Sequence, residues 1–134
     1  MQEYYFDTSI WIDIHEKRGN NGKIANRLFR KIIKEDSIIL YSHLTLLELR
    51  RNGYSHDEIM NILSISKPNN LKRVHIYKEQ LEEARKLCKV NDIPKGDILH
   101  AILSRDNDGI LVSRDWDFQL VRHISKVKLP EDLV

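Results

Sequence analysis

Five acidic residues fall where the chain could gather carboxylates. Asp7 ends a short apolar run, Tyr4-Tyr5-Phe6, and is followed by two hydroxyl residues, Thr8 and Ser9. Glu48 stands within Leu44-Thr45-Leu46-Leu47-Glu48-Leu49, an apolar helical stretch in which a glutamate is costly unless paired or ligated. Asp97 opens a periodic run after Pro94-Lys95-Gly96, and Asp115 and Asp117 follow Leu111-Val112-Ser113-Arg114. Taken singly, each has an ordinary explanation. Asp7 suits a helix cap or turn, Glu48 a pair with Arg50 or Arg51, and Asp97 the positive end of a helix dipole. Turn chemistry alone accounts for Asp115 and Asp117. Taken jointly they say more. Carboxylates held within a few ångströms repel one another and take up protons unless a cation is present. An all-oxygen donor set suits Mg²⁺ or Mn²⁺. Such ions activate water for in-line attack on phosphorus, with no protein nucleophile required.

Other reactive side chains add little. His100 lies one turn beyond Asp97 on the same helix face, but no second histidine cluster completes a zinc site, so it reads as an orienting or packing residue. His15, His43, His56, His75 and His123 have no metal-ligand spacing. Asp92, Asp106 and Asp108 lie in turn-like segments. The single cysteine, Cys88, excludes an internal disulfide and a cysteine-rich zinc site. Trp11, Ile14, Trp116 and Phe118 read as packing residues, although an exposed Trp11 would mark a surface for another protein.

The acids need elements to position them. Apolar runs predict strands at 3–7, 37–41, 73–77 and 110–113, with a short edge strand near Val127 and Leu129. Helical periodicity predicts helices at 10–16, 23–35, 44–52, 56–65, 78–91 and 97–106, and one or two turns within 116–122. Thr8 or Ser9 would cap the first helix, and Ser55 with Glu58 makes a capping box for the fourth. Leu81, Ala84, Leu87 and Cys88 form the predicted buried stripe of helix 78–91. Residues 19–22 and 67–70 read as flexible loops. Continuous apolar strands alternating with helices imply an α/β protein with a parallel sheet covered on both faces. Asp7 and Asp115 then share the carboxyl edge of that sheet, where open α/β sheets bind ligands, and Glu48 and Asp97 belong to helices that begin near it.

Composition sets the outer bounds. The chain has 134 residues, 41% apolar and 31% charged, which suits one globular domain over 1–134. No apolar run approaches a membrane span, the N-terminus has no secretory pattern, and the lone cysteine fits a cytoplasmic setting. The net charge of +2 does not announce a nucleic-acid binder. Neutralising an acidic pocket with metal would leave a more basic surface, which suits a phosphodiester substrate.

Phe6-Asp7-Thr8-Ser9, Glu48 in Thr45-Leu46-Leu47-Glu48-Leu49, Asp97-Ile98-Leu99-His100-Ala101, and Leu111-Val112-Ser113-Arg114-Asp115-Trp116-Asp117-Phe118 resemble, in that order, the motifs of the PIN domain family of metal-dependent ribonucleases. The layout is similar to the VapC-type toxins of prokaryotic toxin–antitoxin pairs. The resemblance implies a three-layer α/β/α sandwich with a mostly parallel sheet of four or five strands. It implies Asp7, Glu48, Asp97 and Asp115 as the catalytic and metal-binding acids. Ser113 and Thr8 or Ser9 match hydroxyl positions that orient them, and Asp117 matches a less uniform extra acid. Mg²⁺ or Mn²⁺, an RNA substrate, a protein antitoxin and a homodimer are the implied cofactor and partners. Lys17, Arg18, Arg50, Arg51, Lys95 and Arg114 are candidates for steering RNA, each also explicable as ordinary surface charge. Two other classes compete. One is a non-catalytic RNA-binding or regulatory module on the same fold. The other is a phosphatase or phospho-receiver with Asp7 as nucleophile, which Asp7-Thr8-Ser9 disfavours because no second acid stands two residues on.

Overall fold

A computed structural model describes residues 2–134. Its centre is β1 (Glu3–Phe6), flanked by β2 (Ile38–Tyr41) and β4 (Gly109–Val112), with β3 (Leu71–Arg73) and β5 (Val127–Lys128) at the edges. All pairings are parallel, in the order β3-β2-β1-β4-β5. Among the described residues, seven α-helices connect them: α1 (Thr8–Glu16), α2 (Gly19–Lys34), α3 (His43–Arg51), α4 (His56–Ser64), α5 (Lys78–Asn91), α6 (Lys95–Asp106) and α7 (Trp116–Gln119).

Side-chain alternation along the strands divides the core into two layers. Tyr5, Leu40 and Leu111, which are aligned across three strands, point to one face and pack with Ala84 of α5 and Ile98 and Ile102 of α6. Phe6, Ile39 and Val112 point to the other, against Ile10, Leu28, Leu49 and Ile62 of α1 to α4. The result is the three-layer α/β/α sandwich. Among the described residues, no helix is long and apolar enough to cross a membrane.

The strand order fixes where a site can form. The chain lays down β1, β2 and β3 in one direction and then crosses to the far side of β1 for β4. The carboxyl ends of β1 and β4 therefore diverge into connections on opposite faces, which opens a crevice between them.

Besides α1, which opens at Thr8 rather than at residue 10, four boundaries depart from the sequence reading. β3 spans Leu71–Arg73, earlier than 73–77. Asn70 donates to Asp36 Oδ1 at 2.9 Å and to the Ser37 carbonyl at 2.8 Å, which pins the chain beside β2 at once. The last ladder bond is from Val74 N–H to the Tyr41 carbonyl; β2 ends there, so residues 75–77 have no partner strand. Second, α2 begins at Gly19, so residues 19–22 are helical rather than loop. Lys17 takes a left-handed conformation (φ 56°) that reverses the chain, and a Cβ on Gly22 would lie 2.6 Å from the Lys17 carbonyl carbon. Gly22 is thus required by the close approach of the first turn of α2 to the backbone of Lys17, the residue that caps the end of α1. Third, α6 begins at Lys95, two residues earlier than expected. Fourth, residues 68–70 form a 3₁₀ turn, and Asn70 is buried.

The packing residues also divide. Trp11 is fully buried with its ring edge against Phe6, so it marks no exterior surface. Phe118 is buried, but Trp116 is 73% exposed, and Leu81 lies outside the buried stripe of α5.

Candidate active site

Asp7 is the first residue beyond β1. Its N–H bonds to the Val112 carbonyl at 3.0 Å, which extends the β1–β4 ladder one step and holds the side chain at the crevice. Asp7 itself acts as N-cap position of α1 without a side-chain cap bond, so Thr8 opens the helix rather than capping it. Asp7 is only 6% exposed. Its Oδ2 accepts from Ser9 Oγ at 2.6 Å and from Ser113 Oγ at 2.9 Å. Burial pushes its pKa up; His100 and the two hydroxyls pull it back, and Glu48 adds repulsion. Ser9, two residues past Asp7, is thus a donor to it rather than a second acid.

Ser113 couples the two strand ends. It donates to Asp7 and accepts from the Asp115 N–H at 3.0 Å. Asp115 in turn caps α7, accepting from the Asp117 N–H at 3.0 Å on Oδ1. These short bonds are local, so sequence spacing alone sets the relation of Asp115 to Asp117.

Glu48 lies in the second turn of α3. Its Oε1 accepts from Thr8 Oγ1 at 2.6 Å and from His100 Nε2–H at 2.7 Å. Burial works to raise its pKa, but the His100 bond and charge, Thr8 and Arg51 outweigh it and hold the carboxyl below its ordinary value. Oε2 faces Gly96 of α6, where a Cβ would sit 3.2 Å away. Glycine at 96 is therefore a clearance for this carboxylate.

His100 is the residue the sequence reading undervalued. It is almost fully buried, and both ring nitrogens are engaged. Nδ1 is 2.7 Å from the Tyr5 hydroxyl, which is 2.7 Å from Ser42 Oγ. A line of hydrogen bonds thus runs from Ser42 through Tyr5 and His100 to Glu48 and Thr8. With no free nitrogen, His100 orients Glu48 rather than serving as a ligand. Its position one turn after Asp97 was the available signal; its partners were not visible, because Tyr5 is 95 residues away.

Asp97 occupies the first turn of α6, half-buried. Its pKa is pushed up to about 7, first by burial and then by Asp115 and Asp7, with His100 opposing and Asp117 adding. The acids fall into two groups. Ligand atoms of Asp7, Glu48 and His100 lie within 4.8 Å of one another, and so do those of Asp97, Asp115 and Asp117. The anticipated single four-acid cluster is therefore two neighbouring clusters, one ordered by His100 and one by Ser113 and α7. The donors fit a hard divalent cation. They are mainly carboxylate oxygens, and two of the acids are held against an electrostatic cost that a cation would relieve.

The expected basic set is scattered. Arg51 and Lys95 line, together with Glu48, a groove of about 610 Å³ whose apolar lining includes Leu44, Leu47 and Val74. Arg50 is exposed on the same helix as Arg51. Lys17 and Arg18 lie on the exposed α1–α2 turn, with Arg18 3.5 Å from Glu16. Arg114 is committed elsewhere: Nη1 donates to both Glu131 oxygens at 2.9 Å, and Nε is 3.8 Å from Asp13. Arg73, beside His43 on the groove rim, was not anticipated.

A PIN domain family profile matches residues 4–124. No curated protein matches the sequence. Among solved structures, VapBC2 from Rickettsia felis, bound to a DNA fragment from its promoter, superposes with a TM-score of 0.69 at 16% identity, covering 96% of this chain and 98% of that one. FitAcB from Neisseria gonorrhoeae gives 0.65 at 16% identity over 97% and 99%. PAE2754 from Pyrobaculum aerophilum gives 0.61 at 20% identity over 98% and 93%.

Proposed function

Because this chain belongs to the PIN domain family, we propose that it is a divalent-metal-dependent endoribonuclease and the toxin of a toxin–antitoxin pair. One observation carries the reading. Asp7 with Glu48, and Asp97 with Asp115 and Asp117, form two neighbouring acidic groups at the carboxyl edge of the sheet, and burial and repulsion from Asp115 and Asp7 raise the Asp97 pKa to about 7. A bound cation would offset the burial and repulsion that oppose ionisation of Asp7 and Asp97.

Asp7, Asp97 and Asp115 would hold the ion or ions, with Glu48 as ligand or orienter and Asp117 in support. Bound Mg²⁺ or Mn²⁺ would lower the pKa of water and neutralise charge on the phosphate. The chain's own residues do the rest. Ser9 and Ser113 fix one oxygen of Asp7, and Thr8 and His100 fix one oxygen of Glu48, so each acid has its second oxygen free for the site. This pre-organisation is what positioning catalysis requires. Arg51, Lys95 and the more distant Lys17, Arg18 and Arg50 would steer the RNA. The likeness to VapBC2 and FitAcB supports a protein antitoxin as partner; a homodimer and a cytoplasmic setting are part of the same proposal.

The test is cleavage of RNA by the purified protein with Mg²⁺ or Mn²⁺, compared with Asp7→Asn and Asp97→Asn. Activity should fall by at least 100-fold, on the order of 3 kcal/mol or more in transition-state stabilisation. Equal cleavage by all three proteins would assign the activity to a contaminant. RNA binding without metal binding would favour a non-catalytic module instead.

A further inference from the structure

We propose that Trp116 is a stacking platform for a nucleobase of single-stranded RNA next to the reacting phosphate. The inference rests on the ribonuclease reading and deepens it by naming how the substrate is gripped.

Isolated exposed hydrophobic residues are common and need no explanation. The position of Trp116 sets it apart. It is 73% exposed, although its backbone is fixed on both sides. Asp115 N–H is held by Ser113 Oγ, Asp117 N–H by Asp115 Oδ1, and Phe118 is anchored in the core. The indole is therefore presented by an ordered segment rather than carried on a loose one. Its two neighbours in sequence are Asp115 and Asp117, whose carboxylates cluster with that of Asp97. A bound strand with its phosphate at these acids would place an adjacent base near this ring.

The chemistry favours a base over other occupants. The indole is uncharged and cannot neutralise phosphate, and the acids around it repel a polyanion wherever no metal sits. A flat apolar ring offers a π-face, which every unpaired base can use regardless of sequence. The strand order supplies a path. The groove lined by Arg51 and Lys95 reaches Glu48 beside β2 and β3, Asp7 follows β1, and Asp115, Trp116 and Asp117 follow β4. A single strand lying across the carboxyl edge of the sheet meets basic rim, metal acids and aromatic face in that order.

The protein carries its own reporter, because the second tryptophan, Trp11, is fully buried. The experiment is a fluorescence titration with a single-stranded RNA decamer in Ca²⁺, alongside the same backbone made abasic, for wild type, Trp116→Phe and Trp116→Ala. Wild type should be quenched by the decamer and not by the abasic strand. Trp116→Ala should bind the decamer roughly tenfold more weakly, and Trp116→Phe should recover most of that affinity. Unchanged decamer affinity in Trp116→Ala, or equal quenching by the abasic strand, overturns the proposal. So does a change only in self-association on sedimentation, which would assign Trp116 to a protein interface. Cleavage is scored separately. Base-dependent quenching without any cleavage would sink the nuclease reading and leave the platform standing. Cleavage with the same KM in wild type and Trp116→Ala would sink the platform alone.

Discussion

The raised pKa of Asp97 makes a quantitative prediction about the metal-free protein. Its carboxyl moves from 3.8 to about 7 on folding, which places the neutral form in the native state across the weakly acidic range. A group whose folded pKa is raised contributes stability that is fully present below the unfolded value and is lost as pH rises through the folded value. The loss should therefore run from about pH 4 to 7 and be complete near pH 8. About three units at roughly 1.4 kcal/mol each set a ceiling near 4 kcal/mol. Asp97 is half-exposed and its repulsion is shared with Asp115 and Asp117, so screening reduces this to about 1–2 kcal/mol. For a domain of this size that is roughly a 4–8 °C fall in Tm. The assay is thermal unfolding in chelator from pH 5 to 8 for wild type and Asp97→Asn. The difference between the two curves isolates this group from the histidines. Asp97→Asn should be less pH-sensitive, and saturating Mg²⁺ should abolish the wild-type loss because the ion stabilises the ionised form. Parallel curves for the two proteins, or no effect of Mg²⁺, would refute the electrostatic account of the site.

Other perturbations separate positioning from packing. His100→Ala should cost about 1–3 kcal/mol in chemical denaturation, since Tyr5 and Glu48 each lose a buried partner, and should lower kcat more than it raises KM; His100→Gln should restore part of both. Gly22→Ala should destabilise by about 1–3 kcal/mol in the same assay without altering metal affinity, because its Cβ meets Lys17 backbone far from the acids. Arg51→Ala should weaken RNA binding and flatten its salt dependence, measured by filter binding at several ionic strengths. Arg114→Ala should leave that slope unchanged and lower Tm instead, because Arg114 is paired with Glu131 and Asp13.

Much of the architecture was legible in the sequence because it is written in local patterns. The apolar runs of β1, β2 and β4 and the periodic helices gave the alternation that forces a covered parallel sheet. The capping box of Ser55 and Glu58 appears as expected, with bonds of 3.2 and 3.0 Å. The acids at strand ends could be assigned to one edge by topology alone. Boundaries failed where a distant residue decided them. β3 starts early because Asn70 finds Asp36 and Ser37, and α2 starts early because Gly22 lets it close on α1.

What the sequence determined by itself is a set of short-range facts: which residues alternate, which lie one turn apart, and which acids end strands. Tertiary structure alone decided how those acids are wired. It divided them into two clusters, joined Tyr5 and His100 across 95 positions into the support of Glu48, tied Arg114 to Glu131, and left Trp116 in water while burying Trp11. The physical reason is range. Backbone periodicity acts over a few residues, whereas burial, desolvation and hydrogen bonding between side chains depend on which surfaces the sheet order brings face to face.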